Sequence, residues 1–172
     1  MATGISGASR VAWIAIVAVG CQTTKPDDRD SIPIEQSGHD VRVPISVEQQ
    51  ECMALAMYWE ARGEEDLGMV AVGWTILNRS ASPEFPATPC EVVFDGGEIP
   101  PCQFSWYCDG RSDRPRDWQS WQRAMRIAAE VLTRPPNDPT RGALYFHSTL
   151  VDSTWHRGRA QTARIGGHEF YR

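Results

Sequence analysis

One acidic side chain in an otherwise apolar stretch is the residue of this sequence best suited to acid–base chemistry. Glu60 directly follows residues 53–59, which are almost wholly apolar. A carboxyl group at the end of such a helix is partly desolvated, and desolvation raises its pKa. A general acid that works near neutral pH needs a raised pKa of this kind. The pattern therefore indicates Glu60 as a candidate proton donor, with a solvated surface acid as the ordinary alternative.

Two helices are predicted on either side of this acid. Apolar residues recur at helical spacing in residues 51–79, so each helix presents one apolar stripe to a core: Cys52, Leu55, Ala56 and Trp59, then Val70, Gly73, Trp74 and Leu77. The acidic segment 60–66 joins the helices and contains Glu64, which also suits the first turn of the second helix. Arg62 is expected to turn toward Glu64 or a backbone carbonyl, because a close arginine would lower the pKa of Glu60.

The rest of the domain predicts one more helix and a few short strands. Pro83, Pro86 and Pro89 break the chain after the second helix. A third helix is predicted over residues 117–134 with Asp117 as its cap, and its apolar stripe is Trp118, Trp121, Met125, Ala128 and Leu132. Residues 143–148 predict a strand, and residues 162–172 predict a strand or hairpin interrupted at Gly166 and Gly167. This order predicts a small, mainly helical α+β domain over residues 47–172.

The first 46 residues are predicted to export and attach this domain. Arg10 precedes an apolar core, residues 11–20, that is too short to span a bilayer, so residues 1–21 are typical of a signal peptide. Residues 18–21 resemble a lipoprotein signal in which Cys21 is lipidated; the alternative is a secretory peptide cleaved nearby. Residues 22–46 predict a flexible tether. Because Gln22 is not the aspartate that retains lipoproteins at the inner membrane, we expect a periplasmic protein anchored to the outer membrane.

Charge and cysteine usage limit the partners and cofactors. The chain has 172 residues and a net charge of -5, which argues against nucleic acid as a partner. Besides Cys21 there are four cysteines, which in an exported domain predict two disulfides with three possible pairings: Cys52, Cys90, Cys102 and Cys108. A metal site made from these cysteines and His147, His156 or His168 lacks the usual zinc spacing. We expect no metal, no cofactor and a monomer.

A longer series of motifs resembles one known family. The series includes residues 58–64 (Tyr-Trp-Glu-Ala-Arg-Gly-Glu), 76–79 (Ile-Leu-Asn-Arg), 103–106 (Gln-Phe-Ser-Trp), 142–147 and 165–171. In this order they are similar to the spore-cortex-lytic (SleB-like) cell-wall hydrolases. The resemblance implies a lysozyme-like catalytic fold in which the acid ends a buried helix and faces a groove.

The resemblance also implies a reaction. The substrate would be peptidoglycan, cut between N-acetylmuramic acid and N-acetylglucosamine by a lytic transglycosylase in which Glu60 acts first as acid and then as base. A hydrolase would need a second carboxylate, for which Glu64 and Asp109 are the candidates. Two alternatives stay open, a non-catalytic peptidoglycan-binding lipoprotein and a metal-dependent cell-wall amidase.

Other matched positions are expected to bind the sugar. Gln103 and Ser105 can hydrogen-bond acetamido and hydroxyl groups. Side chains that could stack on sugar rings, each with core packing as its alternative, are Tyr58, Trp106, Tyr145 and Trp155. His147 and His168 are expected to contact substrate or to orient neighbouring groups, and structural histidines are the alternative. Arg62 is expected to orient Glu60 or Glu64.

Overall fold

The computed structural model describes residues 46–133, 135–151 and 154–172. The predicted signal peptide, the lipidation of Cys21 and nearly all of the predicted tether lie outside these residues and stay predictions. Within the described ranges, none of the helices combines the length and the apolar character needed to cross a membrane.

Four helices form most of the described part of the domain, and three of them were predicted. Helix α1 spans Val47–Ala61 and helix α2 spans Asp66–Ser80, so the acidic segment joins two helices as expected. Helix α4 spans Trp118–Thr133. Its predicted cap is confirmed, because Oδ1 of Asp117 accepts hydrogen bonds from the backbone N–H groups of Gln119 (3.0 Å) and Ser120 (3.2 Å).

A short helix, α3 over Pro89–Val93, was not predicted. Pro89 was assigned to a chain break, but it is the first residue of this helix, where proline costs no hydrogen bond. Thr88 and Glu91 form a capping box at its start. Five residues are too few to show helical periodicity, so the pattern gave no signal. A 3₁₀ helix over Ser105–Cys108 follows.

Helix α1 is the centre of the core. Met53, Ala54 and Met57 are fully buried, since α1 packs against α2, α3 and α4. On α2, a Cβ added at Gly73 would meet the side chain of Met57, so the glycine allows these two helices to approach closely.

The predicted apolar stripes are only partly correct. The buried side of α2 carries Met69, Val72 and Ile76, whereas Trp74 is half-buried. On α4, Trp118 is 67% exposed. The stripes identified the helices, but the buried sides are set by the neighbouring helices against which each one packs.

The C-terminal part forms a three-stranded antiparallel sheet in the order β1-β3-β2. The strands are β1 Tyr145–Ser148, β2 Gln161–Ile165 and β3 His168–Tyr171. Strands β2 and β3 form the predicted hairpin, which turns at Gly166 with a φ of +55°. The predicted α+β class with a small C-terminal sheet is confirmed.

The four described cysteines form two disulfides, as predicted. Cys52 of α1 is bonded to Cys90 of α3, and Cys102 is bonded to Cys108. The first bond connects the short helix α3 to the central helix. Because all four sulfur atoms are in disulfides, the alternative of a metal site built from these cysteines is wrong.

Candidate active site

Glu60 lies in the last turn of α1 and faces a cleft of about 430 Å³. The cleft is bounded by Arg79 of α2, residues 102–105, strand β1 and the segment that contains Trp155. Five residues predicted to bind substrate line it together with Glu60: Gln103, Ser105, Tyr145, His147 and Trp155. Elements far apart in sequence therefore meet around a single acid.

Burial dominates the protonation of Glu60. Removal from water disfavours the carboxylate and raises the pKa of Glu60 from 4.5 to about 7. The positive charge of Arg79 acts in the opposite direction, but its effect is smaller. At neutral pH a substantial fraction of Glu60 carries its proton, which is the state that a general acid requires.

Arg79 is the functional neighbour that the sequence pattern did not single out. It is 3% exposed, and its Nε donates to the carbonyl oxygen of Leu144 at 2.7 Å. With the amide oxygen of Gln103 facing the guanidinium, both terminal nitrogens of Arg79 donate to that oxygen at 2.9 Å. Burial lowers the pKa of Arg79 to about 10, so the guanidinium stays charged at neutral pH. The sequence feature that could have indicated Arg79 is its position as a lone arginine near the end of an apolar helix.

This contact also orients Gln103. Because its amide oxygen is occupied by Arg79, its amide N–H groups are the ones left for a ligand. Ser105 is exposed at the start of the 3₁₀ helix, and Trp155 is 46% exposed with its ring centroid 6.1 Å from that of Tyr145. The cleft thus offers hydrogen-bond donors on one side and aromatic faces on the other, a combination suited to sugars.

His147 forms part of the cleft wall in a fixed orientation. Its Nδ1 donates to the carbonyl oxygen of Ser148 at 2.8 Å, and its Nε2 lies 3.2 Å from the hydroxyl oxygen of Tyr171. That hydroxyl donates to Glu169 at 2.8 Å. The His147 and Tyr171 rings are also stacked, with centroids 5.4 Å apart. These contacts hold the imidazole against the sheet.

The prediction that Tyr58 is a stacking face is wrong. Tyr58 is fully buried, and its hydroxyl oxygen accepts hydrogen bonds from the backbone N–H groups of Arg116 and Asp117, both at 3.1 Å. It also accepts from Arg62 at 3.0 Å. Tyr58 lies two residues before Glu60 on α1 and therefore on another face of the helix, where it contacts the start of α4 and not the cleft.

Arg62 turns away from Glu60 as predicted, but its predicted partner, Glu64 or a backbone carbonyl, is wrong. Its guanidinium lies 5.0 Å from the ring centroids of both Tyr58 and Trp59 and donates to the Tyr58 hydroxyl. These aromatic contacts account for its position. Arg62 does not reach toward Glu64, and it neither orients Glu60 nor lowers its pKa.

Glu64 and His168 form a structural contact outside the cleft. Oε1 of Glu64 accepts from the N–H of Gly167 at 3.0 Å and lies 2.9 Å from Nδ1 of His168. A Cβ at Gly166 would meet the Glu64 carboxylate. The carboxylate therefore connects the α1–α2 loop to the β2–β3 turn. The predictions that His168 contacts substrate and that Glu64 is a second catalytic acid do not fit this placement.

Trp106 and Asp109 also lie away from Glu60. Trp106 is 7% exposed and stacks on Trp59, with ring centroids 6.5 Å apart. Together with Asp109 it bounds a separate cavity of about 60 Å³. Among the described residues that line the main cleft, Glu60 is consequently the only one with a carboxyl group.

The helical core, the small antiparallel sheet and a partly buried acid at a cleft define the class of lysozyme-like domains. A family model described as Cell Wall Hydrolase matches residues 63–171, so the match begins just after Glu60. The chain belongs to the Cell Wall Hydrolase family, and the resemblance seen in its motifs is confirmed.

Curated relatives and solved structures agree with this assignment. The chain is 35% identical over 146 residues to the spore cortex-lytic enzyme of Halalkalibacterium halodurans, an alignment that covers 84% of this chain and 41% of the relative. For the spore cortex-lytic enzyme of Bacillus subtilis the identity is 37% over 121 residues, covering 69% and 35%. The chain thus spans less than half the length of these relatives.

Two solved structures are similar to this chain. The catalytic domain of the Bacillus cereus SleB protein is 32% identical, with a TM-score of 0.57 over 78% of this chain and 99% of that domain. The catalytic domain of the germination-specific lytic transglycosylase SleB from Bacillus anthracis is also 32% identical, with a TM-score of 0.59 over 77% and 100%.

Proposed function

We propose that this chain cleaves the glycan strands of peptidoglycan between N-acetylmuramic acid and N-acetylglucosamine as a lytic transglycosylase, with Glu60 as the only acid and base. The observation that carries the proposal is one carboxyl group, with a pKa of about 7, in a cleft whose other described lining residues have none. A retaining or inverting hydrolase usually needs two carboxylates. The name of the Bacillus anthracis domain supports the same reaction class.

The reaction requires one residue in two successive roles. Protonated Glu60 donates its proton to the glycosidic oxygen as the bond to the anomeric carbon of the muramic residue breaks. The resulting carboxylate accepts the proton of the 6-hydroxyl group of the same sugar while that oxygen bonds to the anomeric carbon. The product carries a 1,6-anhydro end, Glu60 has its proton back, and no water is consumed.

The neighbours of Glu60 suit these two roles. Arg79 is held by Leu144 and Gln103, so its charge is fixed near Glu60 and favours the carboxylate that forms after the first proton transfer. Burial favours the protonated form before that transfer. A pKa near neutrality is the compromise between these effects, and it suits a group that must both donate and accept a proton.

The test is the product formed from purified peptidoglycan sacculi, measured by mass spectrometry. We expect soluble muropeptides with anhydro ends from the unchanged chain and none from Glu60→Gln. Glu51→Gln is the matched control, because Glu51 is an exposed acid on the same helix. Reducing ends would indicate a hydrolase, and undiminished release by Glu60→Gln would refute the role of Glu60. Binding to sacculi without any soluble product would favour a non-catalytic wall-binding protein.

We also propose that the chain is exported and anchored through lipidated Cys21 on the periplasmic side of an outer membrane. The signal-like residues 1–21 motivate this, and the two disulfides suit an oxidising compartment. Cys21→Ser should release the protein from the membrane fraction and abolish incorporation of labelled palmitate. An unchanged distribution between membrane and soluble fractions would contradict the anchor.

A further inference from the structure

A second cavity of about 490 Å³ lies next to the candidate active site. It is bounded by the end of α2, the following turn with Glu84, the approach to β1, and Arg159 and Arg172. Tyr145 lines both this cavity and the cleft that contains Glu60. A ligand in the cleft could therefore extend past Tyr145 into the second cavity.

The sheet brings the two arginines to the same edge of this cavity. Arg159 precedes β2 and Arg172 follows β3, and these strands are antiparallel neighbours. The backbone of Arg172 is paired with that of Ala160 in both directions, at 2.9 and 3.2 Å. The hairpin therefore fixes the backbone positions of both arginines.

Each guanidinium is also placed by its surroundings. The Arg159 guanidinium carbon lies 3.7 Å from the ring centroid of Tyr145, the residue shared by the two cavities. The Arg172 guanidinium lies beside Gly142, where an added Cβ would be 3.5 Å from Nη1. Stacking uses the face of a guanidinium and leaves its N–H groups at the edge for another partner.

Neither group has a carboxylate partner within the described residues. The described arginines that form ion pairs are Arg123, Arg126 and Arg164. Glu84 lines the same cavity but forms no ion pair with Arg159 or Arg172 among the described contacts. Residues 139–172 contain five arginines and two acidic residues, although the whole chain has a net charge of -5. The cavity itself is lined by two arginines and one glutamate, so it is basic on a protein that is acidic as a whole, and this favours an anionic ligand.

We propose that this cavity binds a carboxylate of the peptide attached to the muramic residue, so that the enzyme selects glycan strands that carry peptides with free carboxylates. The inference rests on the proposed function, because the glycan must occupy the cleft for its peptide substituent to reach the second cavity. Arginine suits this ligand, since its N–H groups match the two oxygens of a carboxylate.

The test compares two forms of one ligand, a soluble peptide-bearing muropeptide and the same molecule with its carboxylates converted to amides. Binding is measured by calorimetry on the full chain carrying Glu60→Gln, which prevents turnover. We expect the carboxylate form to bind about tenfold more tightly, the low end of the effect of one charge-assisted hydrogen bond. Arg159→Gln and Arg172→Gln should each bring this ratio of affinities toward one. Arg159→Lys should give a ratio between those of the unchanged arginine and the glutamine variant.

Arg157→Gln is the control, because Arg157 is an exposed arginine of the same loop that does not line the cavity. Equal binding of the two forms, or an unchanged ratio in both arginine-to-glutamine variants, would overturn the proposal. Cleavage is measured separately on sacculi with Glu60 intact. A tenfold binding ratio without cleavage of sacculi would support the carboxylate site and refute the proposed function. Anhydro products together with a binding ratio of one would support the proposed function and refute the carboxylate site.

Discussion

Replacing the buried acid by its neutral isostere should change how the stability of the fold depends on pH. In the folded chain the pKa of Glu60 is about 7, against an ordinary value of 4.5. Between these values the folded state binds more protons than the unfolded state, so the free energy of unfolding of the unchanged chain falls as pH rises. The contribution is fully present below pH 4.5 and is lost by about pH 7. The free energy of unfolding of Glu60→Gln should not fall in this way, because glutamine does not ionise.

The size of the effect follows from the two pKa values. Each tenfold change in proton affinity is worth about 1.4 kcal/mol, so the full difference corresponds to about 3 kcal/mol. The cleft admits some water to Glu60, which reduces the effect, and we expect Glu60→Gln to be more stable by about 1–3 kcal/mol at pH 8. The melting temperature should rise by about 3–10 °C at that pH. At pH 4 the two proteins should be equally stable.

The assay is urea unfolding followed by tryptophan fluorescence at several pH values between 4 and 9. The seven tryptophans of the chain supply the signal. Glu51→Gln is again the control and should keep the pH dependence of the unchanged chain. If Glu60→Gln keeps that dependence too, with no gain in stability at pH 8, the carboxyl group is not desolvated and the reasoning about its pKa fails.

Three further substitutions test contacts of the fold and the charge beside Glu60. Tyr58→Phe removes the acceptor of three hydrogen bonds and should destabilise the fold by about 1–3 kcal/mol in urea unfolding; no loss would contradict the contact. Both Gly166 and Gly97 have a positive φ, but an added Cβ would clash with the Glu64 carboxylate only at Gly166. Gly166→Ala should therefore lower the melting temperature more than Gly97→Ala does. Arg79→Gln removes the charge that lowers the pKa of Glu60, so the alkaline limb of the kcat/KM profile should move to higher pH. An unmoved limb would exclude that charge effect.

The position of the acid could be predicted because its causes are local. The apolar residues before Glu60 and the end of the helix are both visible in one short stretch of sequence. The hairpin at Gly166 and the cap at Asp117 have local causes too, namely a turn that needs a positive φ and a side chain that accepts from nearby N–H groups. These features could therefore be predicted from the chain alone.

The composition of the cleft has long-range causes. Tyr58 and Trp155 are both aromatic, and nothing in the residue type shows that one is fully buried and the other is exposed in the cleft. Arg79 reaches Glu60 only because α2 folds back along α1, and its partners Gln103 and Leu144 come from distant segments. The disulfide pairing was open for the same reason, since it depends on where α3 packs.

The proton on Glu60 is the central claim, and its titration is the most direct test. The carboxyl carbon of Glu60 can be followed by ¹³C NMR as pH is varied, with the Glu60→Gln spectrum used to assign the signal. We predict a midpoint near the pKa of about 7 that burial produces. A midpoint at the ordinary value of 4.5 would mean that Glu60 is ionised at neutral pH and cannot be the general acid.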